Sequence, residues 1–187
     1  MKNGRITAII LDDEISVRNG LLRHIRWKQL GVDSVETFES AEKVVVYLKN
    51  NAPNIIISDI RLPKMDGIRL VEYVREKELR CRIIFMSAYS DLEYFKEAIR
   101  LEAEAYIEKP IRPEQMEEAV RKAVGKIRRD RNQEEKAALA ADILSEYTDQ
   151  MGKRVFKNLV HGIWEEGLME SVGGVKGRLA EGTISFA

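Results

Sequence analysis

The sequence predicts an α/β fold: a doubly wound, five-stranded parallel sheet with a C-terminal helical extension. Three observations carry this. Short apolar runs of strand length recur five times along the chain, segments with helical spacing of apolar residues separate them, and the strongest runs are almost unbroken and rich in Ile. Strands this apolar are buried on both faces, and each right-handed crossover lays its helix against the sheet.

The elements follow in order. Ile6 to Leu11 is the first strand, and Val17, Leu21, Leu22 and Ile25 then share one helical face. Val35 to Phe38 is a weaker second strand, followed by Val44, Val45 and Leu48 at helical spacing. Ile55 to Ile57 is the most apolar run, and Ile68, Val71 and Val74 mark the third helix, which begins where Gly67 follows Asp66. Ile83 to Met86 is the fourth strand. Ser90-Asp91-Leu92-Glu93 has the spacing of a capping box, and Leu92, Phe95, Ala98 and Ile99 form the apolar face of the helix it opens. Ala105 to Ile107 is a weak fifth strand, and Pro113 suits the first turn of a last helix. These elements make a first domain over 1–127.

Residues 128–187 read as a helical linker or a partial output region. The helical signal runs from Pro113 past Gly125 and through a charged stretch, Arg128 to Lys136, into Ala137 to Leu144. Its polar middle argues for a solvated helix rather than a coiled coil. Arg154 to Glu166 is expected to form one more amphipathic helix, and Gly173 to Gly182 is punctuated by glycine. The chain is expected to be truncated, because Thr183 to Ala187 reads as the start of a strand with nothing to bury it.

Composition narrows the function classes. The 187 residues are 44% hydrophobic and 33% charged, with 31 Lys and Arg balancing 31 Asp and Glu, which is globular rather than disordered and gives no global attraction to DNA or anionic lipid. Cys81 is the single cysteine, so an intrachain disulfide and a multi-cysteine zinc site are excluded. The N-terminal apolar run is too short for a signal peptide or a membrane span, and a cytoplasmic location is expected.

The acids are placed for chemistry. Asp12, Asp13 and Glu14 follow the first strand, Asp59 follows Ile55 to Ser58, Ser87 ends the fourth strand, and Lys109 ends the fifth. Ligands of open parallel sheets bind outside the carboxyl ends of the strands, so these side chains are expected to converge on one pocket. Two carboxylates about 4 Å apart repel by about 4 kcal/mol at an effective dielectric near 20, a conflict that a divalent cation resolves. Oxygen ligands without His or Cys favour Mg²⁺, and an ionised Asp is a competent phosphoryl acceptor.

Leu11-Asp12-Asp13-Glu14, Ser58-Asp59-Ile60-Arg61-Leu62-Pro63-Lys64-Met65-Asp66-Gly67, Ser87-Ala88 and Glu108-Lys109-Pro110 together resemble the receiver domain of bacterial two-component response regulators. The resemblance implies the flavodoxin-like receiver fold, with Asp59 as phosphoacceptor. It implies Mg²⁺ held by Asp13, Asp59 and the Arg61 carbonyl, with Asp12 acting through water. Ser87 and Lys109 would hold the phosphoryl oxygens, Ser87 and Tyr106 would act as the switch pair, and the Lys109-Pro110 bond would be cis. The implied partner is a sensor histidine kinase. Homodimerisation would use the face of the fourth helix, fifth strand and last helix, or the helical extension.

Trp27 to Gly31, and Tyr89 to Leu101, also resemble receivers attached to AraC-type DNA-binding modules. No paired helix-turn-helix units are present, so DNA would be reached only through a module outside this chain. A stand-alone receiver acting by protein contact is the first alternative. An aspartate-nucleophile phosphatase is a second, and it fits poorly because Arg61 stands where such enzymes carry a second Asp.

Overall fold

The computed structural model describes residues 4–88 and 92–165, so the expected capping box at Ser90 and the glycine-rich C-terminal stretch lie outside the described residues. Strand and helix alternate: β1 (Thr7–Leu11), α1 (Ile15–His24), β2 (Ser34–Phe38), α2 (Ala41–Leu48), β3 (Ile55–Asp59), α3 (Gly67–Glu76), β4 (Arg82–Ser87), α4 (Leu92–Arg100), β5 (Ala105–Glu108) and α5 (Pro113–Glu165). All four strand pairings are parallel, and the order across the sheet is β2-β1-β3-β4-β5. This is the doubly wound architecture expected from the alternation.

The sheet separates two cores. On one face Ala8, Ile10, Ile55, Ile57, Ile84 and Met86 pack against Leu21 and Ile25 at α1 and against Met116, Val120, Ala123, Val124 and Ile127 of α5. On the other, Ile9, Leu11, Ile56, Ile83 and Phe85 meet apolar residues of α2, α3 and α4. Every residue of β3 is buried, as its position between β1 and β4 demands. A fully buried Ile contributes about 1.5 to 3 kcal/mol, so these central strands hold the fold together.

Local chemistry sets the helix starts. Ser40 Oγ accepts from the backbone N–H of Lys43 to open α2, and Asp66 Oδ1 accepts from that of Arg69 at 2.8 Å to open α3. At α5, Pro113 takes the first position, and the Arg112 carbonyl receives the N–H groups of Gln115 and Met116. After α1, the Leu21 carbonyl accepts from both the Ile25 N–H and the Trp27 indole, which folds the chain back under α5.

Two expectations change. The apolar stripe of α4 is not its buried face: Ala98 is buried, but Leu92, Phe95 and Ile99 are 65%, 47% and 63% exposed. The reason is topological, since β5 is an edge strand and no described element lies over that side of α4. The separate helix expected from Arg154 does not exist as such, because α5 runs without a break from Pro113 to Glu165. Gly125 does not interrupt it; a helical glycine costs only about 1 kcal/mol relative to alanine.

The chain divides into two compact units, Met1–Asn132 and Gln133–Ala187. The first holds the sheet. The described part of the second is helical and exposes Leu139, Ile143 and Leu144. Among the described residues no helix is long and apolar enough to cross a membrane.

Candidate functional site

Strand register assembles the site. Leu11 pairs with Ser58, Asp59 with Met86, and Ser87 with Glu108, so Asp12, Asp59, Ser87 and Lys109 all reach the same C-terminal edge of the sheet. Asp12, Asp59 and Ser87 are buried, whereas Asp13 is exposed at the rim. The carboxylates of Asp12, Asp13 and Asp59 each bring one oxygen within 4.8 Å of the others. The expected convergence of the three acids is therefore present.

Lys109 enters between two of these acids. Its Nζ is hydrogen-bonded to Asp59 Oδ2 and lies 2.8 Å from Asp12 Oδ2, while Glu14 Oε1 is 4.0 Å away. Burial pushes the Asp12 carboxyl above its ordinary value, against the pull of the Lys109 charge. Burial also acts to lower the Lys109 pKa, but its interactions with Asp12 and Asp59 outweigh this and leave it raised. One ammonium thus offsets much of the repulsion between the two inner carboxylates.

Backbone groups aim the acids. Asp12 Oδ1 accepts from the Glu14 N–H at 2.9 Å, and Asp59 Oδ1 from the Arg61 N–H at 3.1 Å. Arg18, one turn into α1, donates through Nη1 to the carbonyls of Asp12 at 2.6 Å and Asp13 at 3.1 Å. Nothing in the sequence motifs singles out Arg18. Its only signal is a cation one helical turn beyond an acidic loop.

Gly67 starts a helix as expected, and its packing shows a second requirement. A Cβ there would meet the Asp59 carbonyl oxygen at 2.1 Å and Ser58 Oγ at 2.7 Å. The Lys109-Pro110 peptide is cis, as the family resemblance implies, and the Lys109 N–H donates to the Ser87 carbonyl at 2.7 Å. Tyr106, half-buried on β5, stands edge-on to Phe95 of α4 with ring centroids 5.8 Å apart.

The donor set fits Mg²⁺. Asp12 Oδ2 is buried, and beyond its ion pair with the Lys109 ammonium 2.8 Å away it has no further partner among the described residues. Three carboxylates whose oxygens lie within 4.8 Å of one another, offset by one ammonium, leave net negative charge at this edge, which a hard cation with oxygen ligands would neutralise.

Comparison with known proteins agrees with this geometry. The family model described as the response regulator receiver domain matches residues 8–121, more than half of the chain. The crystal structure of a two-component transcriptional regulator AraC from Clostridium phytofermentans is 34% identical, with a TM-score of 0.61, over 68% of this chain and 98% of that one. The REC domain of AraT, a response regulator from Geobacillus stearothermophilus, is 29% identical with a TM-score of 0.63, over 68% and 99%. YesN, an uncharacterised transcriptional regulatory protein of Bacillus subtilis, is 23% identical over 171 residues, 91% of this chain and 46% of that protein. The chain spans less than half the length of the curated relatives it matches. On the matched family model, the parallel five-stranded topology and the acids gathered at one sheet edge, the chain belongs to the response regulator receiver domain family.

Proposed function

We propose that Asp59 accepts a phosphoryl group from the phosphohistidine of a sensor histidine kinase and thereby switches a transcriptional output. The observation that carries this reading is the Lys109 ammonium lodged between Asp12 and Asp59 at the open edge of the sheet. In the transfer the P–N bond to histidine breaks as a P–O bond to Asp59 forms, and negative charge develops on the phosphoryl oxygens. Lys109 already stands at Asp59 to receive that charge, and Ser87, at the end of the neighbouring strand, supplies a hydroxyl.

Asp12, Asp13, Asp59 and the Arg61 carbonyl would hold Mg²⁺, which when bound neutralises phosphoryl oxygen charge. Asp12 and Asp13 keep their place through the Arg18 and Glu14 contacts, so the loop is ordered before a phosphoryl donor arrives.

Phosphorylation would draw Ser87 and Lys109 toward the new oxygens and let Tyr106 follow. Support comes from the edge-on contact of Tyr106 with Phe95, which ties any movement of that ring to the exposed side of α4. Turning a population from 1:99 to 99:1 takes about 5.5 kcal/mol, within reach of a few charge-assisted hydrogen bonds of about 1.5 to 3 kcal/mol each. An AraC-type DNA-binding module outside this chain is the proposed output, in keeping with the name of one similar structure, a two-component transcriptional regulator AraC.

Intact-mass measurement after incubation with Mg²⁺ and acetyl phosphate tests the assignment. One phosphoryl adduct is expected in the wild type and none in Asp59→Asn. An adduct that persists in Asp59→Asn overturns the phosphoacceptor assignment.

A further inference from the structure

Arg61 faces two ways. Its backbone N–H donates to Asp59 Oδ1 at 3.1 Å, and its guanidinium carbon lies 5.7 Å from the ring centroid of Tyr94 on α4. Tyr94 is half-buried and packs on the same core as Leu62 and Met65, from the loop that follows β3. The residue that steadies the Asp59 carboxylate therefore also rests its cation on the N-terminal half of α4.

The opposite end of α4 is fixed by other means. Arg100 pairs with Glu72 of α3 and with Glu97, and the Arg75 guanidinium of α3 donates to the Leu101 carbonyl at 3.0 and 3.2 Å. A change at Tyr94 would thus loosen the first turns of α4 while its C-terminal end stays tied to α3.

We propose that Arg61 is a positioning residue that reports the charge at Asp59 to α4. The inference rests on the phosphoacceptor reading. A phosphoryl group on Asp59 puts up to two negative charges in place of the carboxylate's one, and brings strong acceptor oxygens, two residues from Arg61. A guanidinium is suited to phosphate oxygens, and a charge-assisted bond to them is stronger than a cation–π contact at an exposed site. The guanidinium leaves the Tyr94 ring for the phosphoryl oxygens, and the first turns of α4 lose a support. This route is separate from the one through Ser87 and Tyr106, since Tyr106 meets α4 at Phe95.

Hydrogen–deuterium exchange of α4 in the full chain, with and without Mg²⁺ and acetyl phosphate, tests it, with intact mass recorded in parallel. In the wild type, phosphorylation is expected to speed exchange in the first turns of α4 by about two- to fivefold, the range an exposed cation–π contact sets. Tyr94→Phe keeps the ring and is expected to match the wild type. Tyr94→Leu and Arg61→Ala are expected to exchange at the faster rate already, with no further gain on phosphorylation. The same phosphorylation-dependent gain in Arg61→Ala as in the wild type overturns the proposal, as does a phosphorylated wild type with unchanged α4 exchange. A wild type that forms no adduct fails at the mass measurement, and that result overturns the phosphoacceptor reading together with this inference.

Discussion

Gly67 sits so close beneath Asp59 that even a methyl group on its Cα would enter the backbone there, meeting the Asp59 carbonyl oxygen at 2.1 Å. The Gly67 N–H also donates to the Ile60 carbonyl at 2.9 Å, so α3 starts in direct contact with the end of β3. Gly67→Ala is therefore expected to destabilise the protein by about 1 to 3 kcal/mol, the usual cost of overpacking. It should also lower the yield of the Asp59 adduct. Urea unfolding and intact mass check the two effects, and a Gly67→Ala variant as stable as the wild type would show that the strand end can yield.

Glu117 of α5 is gripped by Arg26 after α1: the Arg26 backbone N–H and Nε both donate to Oε1, and Nη2 donates to Oε2. The Arg26 side-chain hydrogen bonds, with the backbone N–H adding to them, pull the Glu117 carboxyl down to about 2 from its usual 4.5. An acid held below its unfolded value stabilises the fold when ionised. The contribution is complete above about pH 4.5 and disappears as pH falls to about 2. Glu117→Gln is expected to flatten the loss of stability across that window, measured by urea midpoints at a series of pH values.

Asp13 is the exposed member of the acid cluster, so its removal tests metal binding with little burden on folding. Saturating Mg²⁺ at about one hundred times its dissociation constant would stabilise the wild type by about 2.7 kcal/mol. Asp13→Asn should keep its stability without metal and lose most of the Mg²⁺-dependent rise in melting temperature. Chelation by EDTA is expected to stop labelling of Asp59 in both proteins.

Trp27 anchors the loop beneath α5, buried with its indole donating to the Leu21 carbonyl at 3.1 Å. It belongs to the same core as Ala123, Val124 and Ile127. Trp27→Ala is expected to cost about 3 to 5 kcal/mol in chemical denaturation, as for other large core truncations. A loss below about 1 kcal/mol would mean that this loop does not secure α5.

The fold was legible because its causes are local. Unbroken Ile at 55–57 can only be a strand buried on both faces, the change of period at each helix marks a crossover, and Asp66 before Gly67 announces α3 through a cap that its own side chain makes. The acids were legible for the same reason, since each directly follows a strand. The exposure of α4 was not legible, because periodicity shows which residues share a face but not whether anything covers it, and the exposure of Leu92, Phe95 and Ile99 depends on β5 lying at the sheet edge.

By itself the sequence determined the alternation of elements, the parallel sheet and the set of side chains at its C-terminal edge, because period, turn chemistry and strand-end position are written in neighbouring residues. Only the tertiary structure decided the partners: Lys109 between Asp12 and Asp59, Arg18 on two carbonyls, Arg61 over Tyr94, and Arg26 around Glu117 across 91 residues of chain. Such pairings depend on how side chains from separate crossovers meet once the sheet has closed its register, and no local pattern encodes that meeting.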